Sequence, residues 1–138
     1  YDPQFHARTG TETILVVEDE RDLREIVTRT LNLNGYRVFQ AVDGNKALQI
    51  WAEYKDKIDL LFTDIIMPGG INGRELADRL LAEKPRLKVI FTTGYDADAL
   101  DKGYKLDPQW NYLQKPYLPN DLARIVRRRL DEEHQSPS

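Results

Sequence analysis

The chain has 138 residues, of which 41% are apolar and 31% are charged, and this length suffices to bury one hydrophobic core. A net charge of −3 gives no overall attraction to nucleic acid or anionic membranes, and no apolar run approaches the roughly 20 residues of a membrane span. The sequence contains no cysteine, which excludes disulfides and thiolate metal sites and favours a reducing compartment such as the cytoplasm.

Polar residues without a regular period occupy both ends of the chain. They predict an N-terminal tail or linker over residues 1–12 and a C-terminal tail over residues 133–138. A single domain over residues 13–132 lies between them. The chain opens on Tyr1 rather than on a methionine, which favours a piece excised from a longer protein.

The first half of this domain alternates short apolar runs with segments of helical period. Residues 14–17 predict a first strand, and residues 37–41 predict a second strand, whose polar character favours the edge of a sheet. Between these strands, apolar residues at i, i+3, i+4 and i+8 predict the buried face of a helix: Leu23, Ile26, Val27 and Leu31. A second helix follows, with a predicted buried face of Ala47, Leu48, Trp51 and Tyr54.

The second half of the domain repeats the alternation. Residues 60–63 and 89–92 predict the third and fourth strands. The third helix lies between them and ends before Pro85, and its predicted buried face is Leu76, Ala77, Leu80 and Leu81. A short polar helix over residues 96–103 and a strand over residues 110–113 come next. The last helix has a predicted buried face of Leu122, Ile125, Val126 and Leu130.

Five strand–helix units in strict alternation predict an α/β fold with a parallel five-stranded sheet and helices on both faces. Each helix must cross back over the sheet before the next parallel strand begins, and these crossovers are right-handed. Ligand sites in such sheets lie at the carboxyl ends of the strands. The residues directly after each strand are therefore the candidates for function.

Charged and hydroxyl side chains follow four of the five predicted strands. Glu18 and Asp19 follow the first, Asp64 the third, Thr93 the fourth and Lys115 the fifth. Three carboxylates at one rim repel one another unless a hard cation neutralises them, and oxygen ligands favour Mg²⁺ over Zn²⁺. One aspartate can then attack a phosphoryl group, while the cation, the ammonium and the hydroxyl offset the charge on the phosphoryl oxygens.

Four short motifs at these strand ends resemble those of response-regulator receiver domains, over about residues 13–130. They are ILVVEDE at 14–20, LFTDIIMP at 61–68, VIFTTG at 89–94 and LQKP at 113–116. The resemblance implies a flavodoxin-like (βα)5 doubly wound fold with strand order 2-1-3-4-5. It also implies that Asp64 accepts a phosphoryl group from the phosphohistidine of a histidine kinase or phosphotransfer protein, in two-component signalling.

The same resemblance implies roles for the other residues of the rim. Lys115 pairs with the phosphoryl group, Thr93 and Tyr112 form the switch, and the Lys115–Pro116 peptide is cis. The implied Mg²⁺ ligands are Glu18, Asp19, Asp64 and the backbone carbonyl of Ile66. Glu18 stands where an aspartate is more usual, which lengthens that side chain by one methylene. Phosphorylation is expected to alter the surface formed by the fourth helix, the fifth strand and the fifth helix.

The resemblance leaves the setting of the domain open between a stand-alone regulator and the receiver of a hybrid histidine kinase. The loop at residues 67–73, with one added residue, favours the hybrid kinase. Expected partners are the phosphodonor and a downstream phosphotransfer or effector protein, with no nucleic-acid binding or membrane insertion. The domain is expected to be a monomer or a weak phosphorylation-linked dimer. It would catalyse its own phosphorylation and a slow autodephosphorylation, because Ile66 and Tyr95 would exclude the hydrolytic water.

Each residue of the rim also has an ordinary structural interpretation when it is taken alone. The acidic pair suits a helix N-terminus, Asp64 suits a turn, and the arginines at 127–129 suit the dipole at the end of the last helix. The joint occurrence of the motifs favours function. A phosphorylation-independent interaction module on the same fold remains the alternative. A flavin or nucleotide carrier is disfavoured because the acidic residues at 18–20 would repel phosphate.

Overall fold

Strands and helices alternate along the chain, as the apolar runs and the helical periods predict. The computed structural model describes residues 10–67, 70–94 and 111–132, so the predicted helix at 96–103, Tyr95 and most of both tails lie outside the described residues. The elements are β1 (Thr13–Val17), α1 (Arg21–Leu33), β2 (Arg37–Ala41), α2 (Gly44–Tyr54), β3 (Leu60–Asp64), α3 (Gly73–Glu83), β4 (Lys88–Thr93), β5 (Tyr112–Gln114) and a C-terminal helix (Pro119–Asp131). Among these helices, none combines the length and the apolar character that crossing a membrane requires.

The five strands form one parallel sheet in the order β2-β1-β3-β4-β5, which confirms the predicted fold class and strand order. The polar strand β2 lies at an edge, as predicted, whereas every residue of β1 and β3 is buried. Neighbouring strands are aligned so that their carboxyl ends meet: Val17 is opposite Thr63, Asp64 is opposite Thr92, and Thr93 is opposite Gln114. The sheet therefore gathers the predicted functional residues at one rim.

Two hydrophobic layers cover the two faces of the sheet. One layer joins odd-numbered strand residues such as Leu15 and Leu61 to α2 and α3. The other joins even-numbered residues such as Val16 and Phe62 to α1 and the C-terminal helix. Because side chains alternate between the faces of a strand, a central strand that is covered on both faces must be apolar at every position. This requirement explains the continuous apolar runs at 14–17 and 60–62.

Ile26 departs from the predicted face of α1, since 52% of it is exposed to solvent. Val27 and Leu31 occupy the buried positions of this helix, and Leu23 packs against them at the edge. These three residues follow one another at intervals of four, and they form a stripe too narrow to include Ile26. The prediction that Ile26 is buried was wrong. Leu48, Tyr54, Leu81 and Leu130 are partly buried at the margins of their predicted faces.

Arg127 and Arg129 have contacts that the helix dipole does not explain. Arg128 and Arg129 do lie in the last turn of the C-terminal helix, and Arg129 donates to the backbone carbonyl of Val89 at 3.2 Å. Arg127 contacts the segment before β1: its Nη2 lies 2.9 Å from a carboxylate oxygen of Glu12. Arg127 also donates to the Tyr36 hydroxyl and to Asp131. The C-terminal helix is thereby tied to the residues that precede the sheet.

We predict that Glu12→Gln destabilises the domain by about 1 kcal/mol at neutral pH, since the pair is charge-assisted but partly exposed. Burial alone would raise the pKa of Glu12, but hydrogen bonds from Arg127 and the backbone outweigh it and lower the pKa from 4.5. A lowered pKa adds stability that is complete above pH 4.5 and is lost as the pH falls through the folded-state pKa. Urea unfolding from pH 7 to pH 3 should therefore show the difference from wild type shrinking in acid.

Glu25→Gln is the control for this measurement, because it removes only an exposed pair with Arg21 at 3.6 Å. Its effect should stay below about 0.5 kcal/mol. An equal effect of the two substitutions, or a Glu12→Gln effect that grows in acid, would contradict the proposed role of the Glu12–Arg127 pair.

Candidate functional site

The predicted functional residues converge at the carboxyl ends of four strands. Asp64 and Thr93 are the last residues of β3 and β4 rather than the first residues after them, and Glu18 and Lys115 directly follow β1 and β5. Ladder hydrogen bonds continue past the strand ends, with the Glu18 amide donating to Ala41 and the Lys115 amide donating to Thr93. A cavity of about 520 Å³ opens at this rim, lined by Asp19, Asp64, Ile66, Met67, Thr93, Gly94 and Lys115.

The ammonium of Lys115 bridges two buried carboxylates at the base of the rim. Its Nζ lies 2.7 Å from Oδ2 of Asp64 and 3.1 Å from Oε1 of Glu18. Both acidic side chains are less than 10% exposed, so solvent screens these contacts weakly. The Lys115–Pro116 peptide is cis, as the resemblance implied.

Burial is the main influence on the charges of the two carboxylates. It raises the pKa of Asp64 and the pKa of Glu18, and in each case the hydrogen bond and charge of Lys115 only partly oppose it. For Lys115 itself, burial would lower the pKa, but the hydrogen bonds and negative charges of Asp64 and Glu18 prevail and raise it. The rim thus contains more buried negative charge than one ammonium compensates.

The acidic side chains fit a divalent cation with oxygen ligands. Glu18, Asp19 and Asp64 each offer a carboxylate oxygen, and these oxygens lie within 4.8 Å of one another. A hard cation is bound by such a set, and it would relieve the charge that burial leaves uncompensated. Asp19 is exposed and lines the cavity, so the cluster is open to solvent on that side. The residues present therefore suit Mg²⁺.

The backbone around Glu18 is fixed by contacts that the sequence did not reveal. Oε2 of Glu18 accepts from the Glu20 amide at 3.0 Å, and the Glu18 carbonyl accepts from the guanidinium of Arg24 at 2.8 Å. Arg24 lies one turn into α1 and carries no motif signal. Both donors belong to the chain that follows Glu18, and they hold its carbonyl and one carboxylate oxygen in place.

The two predicted switch residues are both buried, on neighbouring strands of the sheet. Thr93 is fully buried at its strand end, and Tyr112 is 2% exposed in the layer that faces α2 and α3. Tyr112 is opposite Phe91 across β4 and β5, and Phe91 lies in the same layer. Thr93 is two residues beyond Phe91 and so points to the same face. Their roles in switching remain predictions.

Gly73 makes a close contact with the end of β3 that the sequence analysis missed. It is the first residue of α3, and its amide donates to the Ile65 carbonyl at 2.8 Å. A Cβ atom at this position would lie 2.0 Å from the carbonyl oxygen of Asp64. The capping box of Asn72 and Glu75, which marks the start of α3, is the available sequence signal. Only glycine lets α3 approach Asp64 this closely.

We expect Gly73→Ala to destabilise the domain by about 1–3 kcal/mol, because the added methyl group must displace the backbone of Asp64 or the start of α3. Thermal unfolding, together with the amide NMR shifts of residues 64–66, would measure the effect. Gly94→Ala is the control, since a Cβ at Gly94 meets no atom within 4 Å in the described residues. If the two substitutions perturb the protein equally, the close contact is not what Gly73 provides.

Comparison with known proteins agrees with the resemblance that the sequence motifs indicated. Residues 14–127, which include all the rim residues, match the family model described as "Response regulator receiver domain". The chain is 34% identical over 117 residues to the response regulator receiver protein CpdR of Brucella abortus, covering 85% of this chain and 95% of CpdR.

Two further similarities concern a larger protein. The chain is 34% identical over 125 residues to the sensor kinase CckA of Brucella abortus, covering 91% of this chain but only 13% of CckA. The crystal structure of the receiver domain from the hybrid histidine kinase CckA is similar, with a TM-score of 0.70 and 36% identity. That likeness covers 86% of this chain and 98% of the CckA receiver.

Proposed function

The chain belongs to the response regulator receiver domain family, and on this premise we propose that Asp64 accepts a phosphoryl group from a partner's phosphohistidine. The family itself implies a phosphoacceptor in two-component signalling. The observation that supports Asp64 is its place at the end of β3, buried, 2.7 Å from Lys115 and within the acidic cluster. Asp64 would be the nucleophile, and Lys115 and Thr93 would stabilise the phosphoryl group.

The proposed transfer is a displacement at phosphorus, in which one bond forms and one bond breaks. A carboxylate oxygen of Asp64 forms the new P–O bond, the P–N bond to the donor imidazole breaks, and the imidazole keeps the electron pair. Lys115 is positioned to offset the negative charge on the phosphoryl oxygens, because its ammonium already contacts the attacking carboxylate. Asp64 gains an acyl phosphate, and the phosphohistidine returns to histidine.

Mg²⁺ is the cation that we propose for the acidic cluster. Glu18, Asp19 and Asp64 would hold it with their carboxylates, and Ile66 would add its backbone carbonyl. When bound, Mg²⁺ supplies positive charge that offsets both the crowded carboxylates and the phosphoryl oxygens. The raised pKa values of Glu18 and Asp64 support this assignment, since burial leaves their charge partly uncompensated.

We propose that Thr93 and Tyr112 change conformation when Asp64 is phosphorylated. A hydrogen bond from Thr93 to the phosphoryl group would contribute about 1.5–3 kcal/mol, which shifts a two-state equilibrium roughly 10- to 150-fold. Tyr112 lies in the same layer of the core and would change position with it. The surface altered would comprise β5, the C-terminal helix and the predicted helix at 96–103.

We further propose that the domain, over residues 13–132, is the receiver of a hybrid sensor histidine kinase in the cytoplasm. The likeness to the receiver of CckA supports this setting, whereas the near-complete coverage of CpdR supports a stand-alone regulator. The donor would be a histidine kinase or phosphotransfer protein, and the acceptor a phosphotransfer or effector protein. The domain itself would be a monomer or a weak phosphorylation-linked dimer.

Labelling with a small phosphodonor such as acetyl phosphate tests Asp64 and the cation together. Wild type should gain an acid-stable, base-labile phosphoryl group in the presence of Mg²⁺, and Asp64→Asn should gain none. Removal of Mg²⁺ with EDTA should reduce labelling at least roughly 100-fold, because charge stabilisation during transfer is worth several kcal/mol. Intact-mass spectrometry measures the labelled fraction.

Asp56→Asn is the matched control, because Asp56 is exposed in the loop between α2 and β3. It should be labelled like wild type. Labelling that survives Asp64→Asn would show that a residue other than Asp64 accepts the phosphoryl group. A complete absence of labelling in wild type, with partner binding retained, would favour the phosphorylation-independent interaction module.

The lifetime of the phosphoryl group is predicted to be long. The Ile66 side chain is 43% exposed at the rim and cannot orient water, and Tyr95 is expected to act in the same way. Combining Ile66→Asn with Tyr95→Glu should shorten the half-life at least roughly tenfold, because a positioned polar group can direct the attacking water. Decay of labelled protein after donor removal is the measurement, and an unchanged half-life would contradict the prediction.

A further inference from the structure

Tyr117 lies two residues after Lys115 and packs against the hydrophobic layer that includes Phe62. It follows the Lys115–Pro116 peptide, and the edge of its ring contacts Phe62, with centroids 6.3 Å apart and planes at 90°. Phe62 is two residues before Asp64 on β3, so the two side chains project from the same face of the sheet. The Tyr117 ring therefore packs against the same face of the sheet from which Asp64 projects.

The hydroxyl oxygen of Tyr117 is buried and has no hydrogen-bond partner within the residues that the structure describes. Leaving a buried polar group unsatisfied costs free energy, and such groups in native proteins call for an explanation. Packing alone does not provide one. A phenylalanine would make the same edge contact with Phe62 and would bury no unpaired oxygen.

The surroundings of this hydroxyl are acidic. Burial raises the pKa of Tyr117, and the negative charges of Glu18, Asp64 and Glu20 raise it further. The phenol accordingly keeps its proton at neutral pH. Tyr117 thus presents a hydrogen-bond donor to a group of carboxylates, which are acceptors.

Glu18 is the carboxylate whose bonding would change most during the proposed reaction. Its oxygens accept from Lys115 at 3.1 Å and from the Glu20 amide at 3.0 Å. A carboxylate can accept about four hydrogen bonds, so Glu18 has capacity for another donor. A cation in the cluster would repel the Lys115 ammonium, so Glu18 would lose part of this contact while it stays buried.

We propose that Tyr117 is a positioning residue whose hydroxyl donates a hydrogen bond to Glu18 when the acidic cluster holds its cation, and so keeps this carboxylate directed at the metal. The inference rests on the proposed function, because it requires the cluster to bind Mg²⁺. Tyr117 itself touches neither the phosphoryl group nor the cation. Among the described residues this hydroxyl has no partner, and the bond to Glu18 would give it one.

The test is Tyr117→Phe, with two measurements that separate positioning from packing. Urea unfolding in EDTA should show the variant to be at least as stable as wild type, since the unpaired hydroxyl is removed. Titration with MgCl₂ alone, followed by the amide NMR shifts of Asp19 and Asp64, should show roughly tenfold weaker binding, the effect typical of a residue that orients a metal ligand. A structural role alone would not produce this combination.

Tyr54→Phe is the matched control, because Tyr54 is a half-buried tyrosine of α2 whose ring stacks on Phe39 in the opposite layer. Its Mg²⁺ affinity should equal that of wild type. Equal affinity of Tyr117→Phe and wild type would overturn the inference, and continued labelling of Asp64 would leave the proposed function standing. A loss of stability in EDTA would also overturn it, by showing that the hydroxyl is paired without metal. Failure of wild type to bind Mg²⁺ would overturn both.

Discussion

The contact of one ammonium with two buried carboxylates is the interaction on which the functional rim depends. The ammonium nitrogen of Lys115 lies within 3.1 Å of a carboxylate oxygen of Asp64 and of Glu18. Burial favours the protonated form of both carboxyl groups, and the ammonium opposes it. The compensation is incomplete, because two negative charges face one positive charge and Asp19 lies beside them. A site left short of positive charge attracts cations and can tolerate a phosphoryl dianion only together with one. The rim therefore has an excess of negative charge that a bound cation can neutralise.

The parallel sheet is what allows residues so far apart in sequence to form this contact. Asp64 and Lys115 are 51 positions apart, yet each stands at the carboxyl end of its strand. The register of β3, β4 and β5 aligns those ends, and the two apolar layers hold the register, since a shift by one residue would turn every side chain to the wrong face. Stability and function thus place separate demands on the same strands, with the apolar residues along their length and the polar residues at their ends.

Sequence patterns were sufficient for the existence of the strands and for most helix faces, because these depend on local periodicity. The ends of β3, β4 and β5 were displaced by one or two residues, since β5, predicted at 110–113, lies at Tyr112–Gln114, and Asp64 and Thr93 belong to their strands. The strand order and the cis Lys115–Pro116 peptide came from the family resemblance and could not have been deduced from periodicity. Ile26 was misplaced because spacing alone does not reveal how wide a stripe the sheet covers. The partners of Arg127, the approach of Gly73 to Asp64 and the unpaired hydroxyl of Tyr117 escaped prediction, since each depends on tertiary contacts between separate elements.

The Glu12–Arg127 pair has a consequence for the kinetics of folding. Its two residues are 115 positions apart, so the contact closes nearly the whole domain into one loop. Closing so long a loop is entropically costly, so we expect this contact to form late in folding and to break early in unfolding. Interactions that are absent from the transition state slow unfolding and leave the rate of folding almost unchanged. We therefore expect the pair to lengthen the lifetime of the native state more than it accelerates folding.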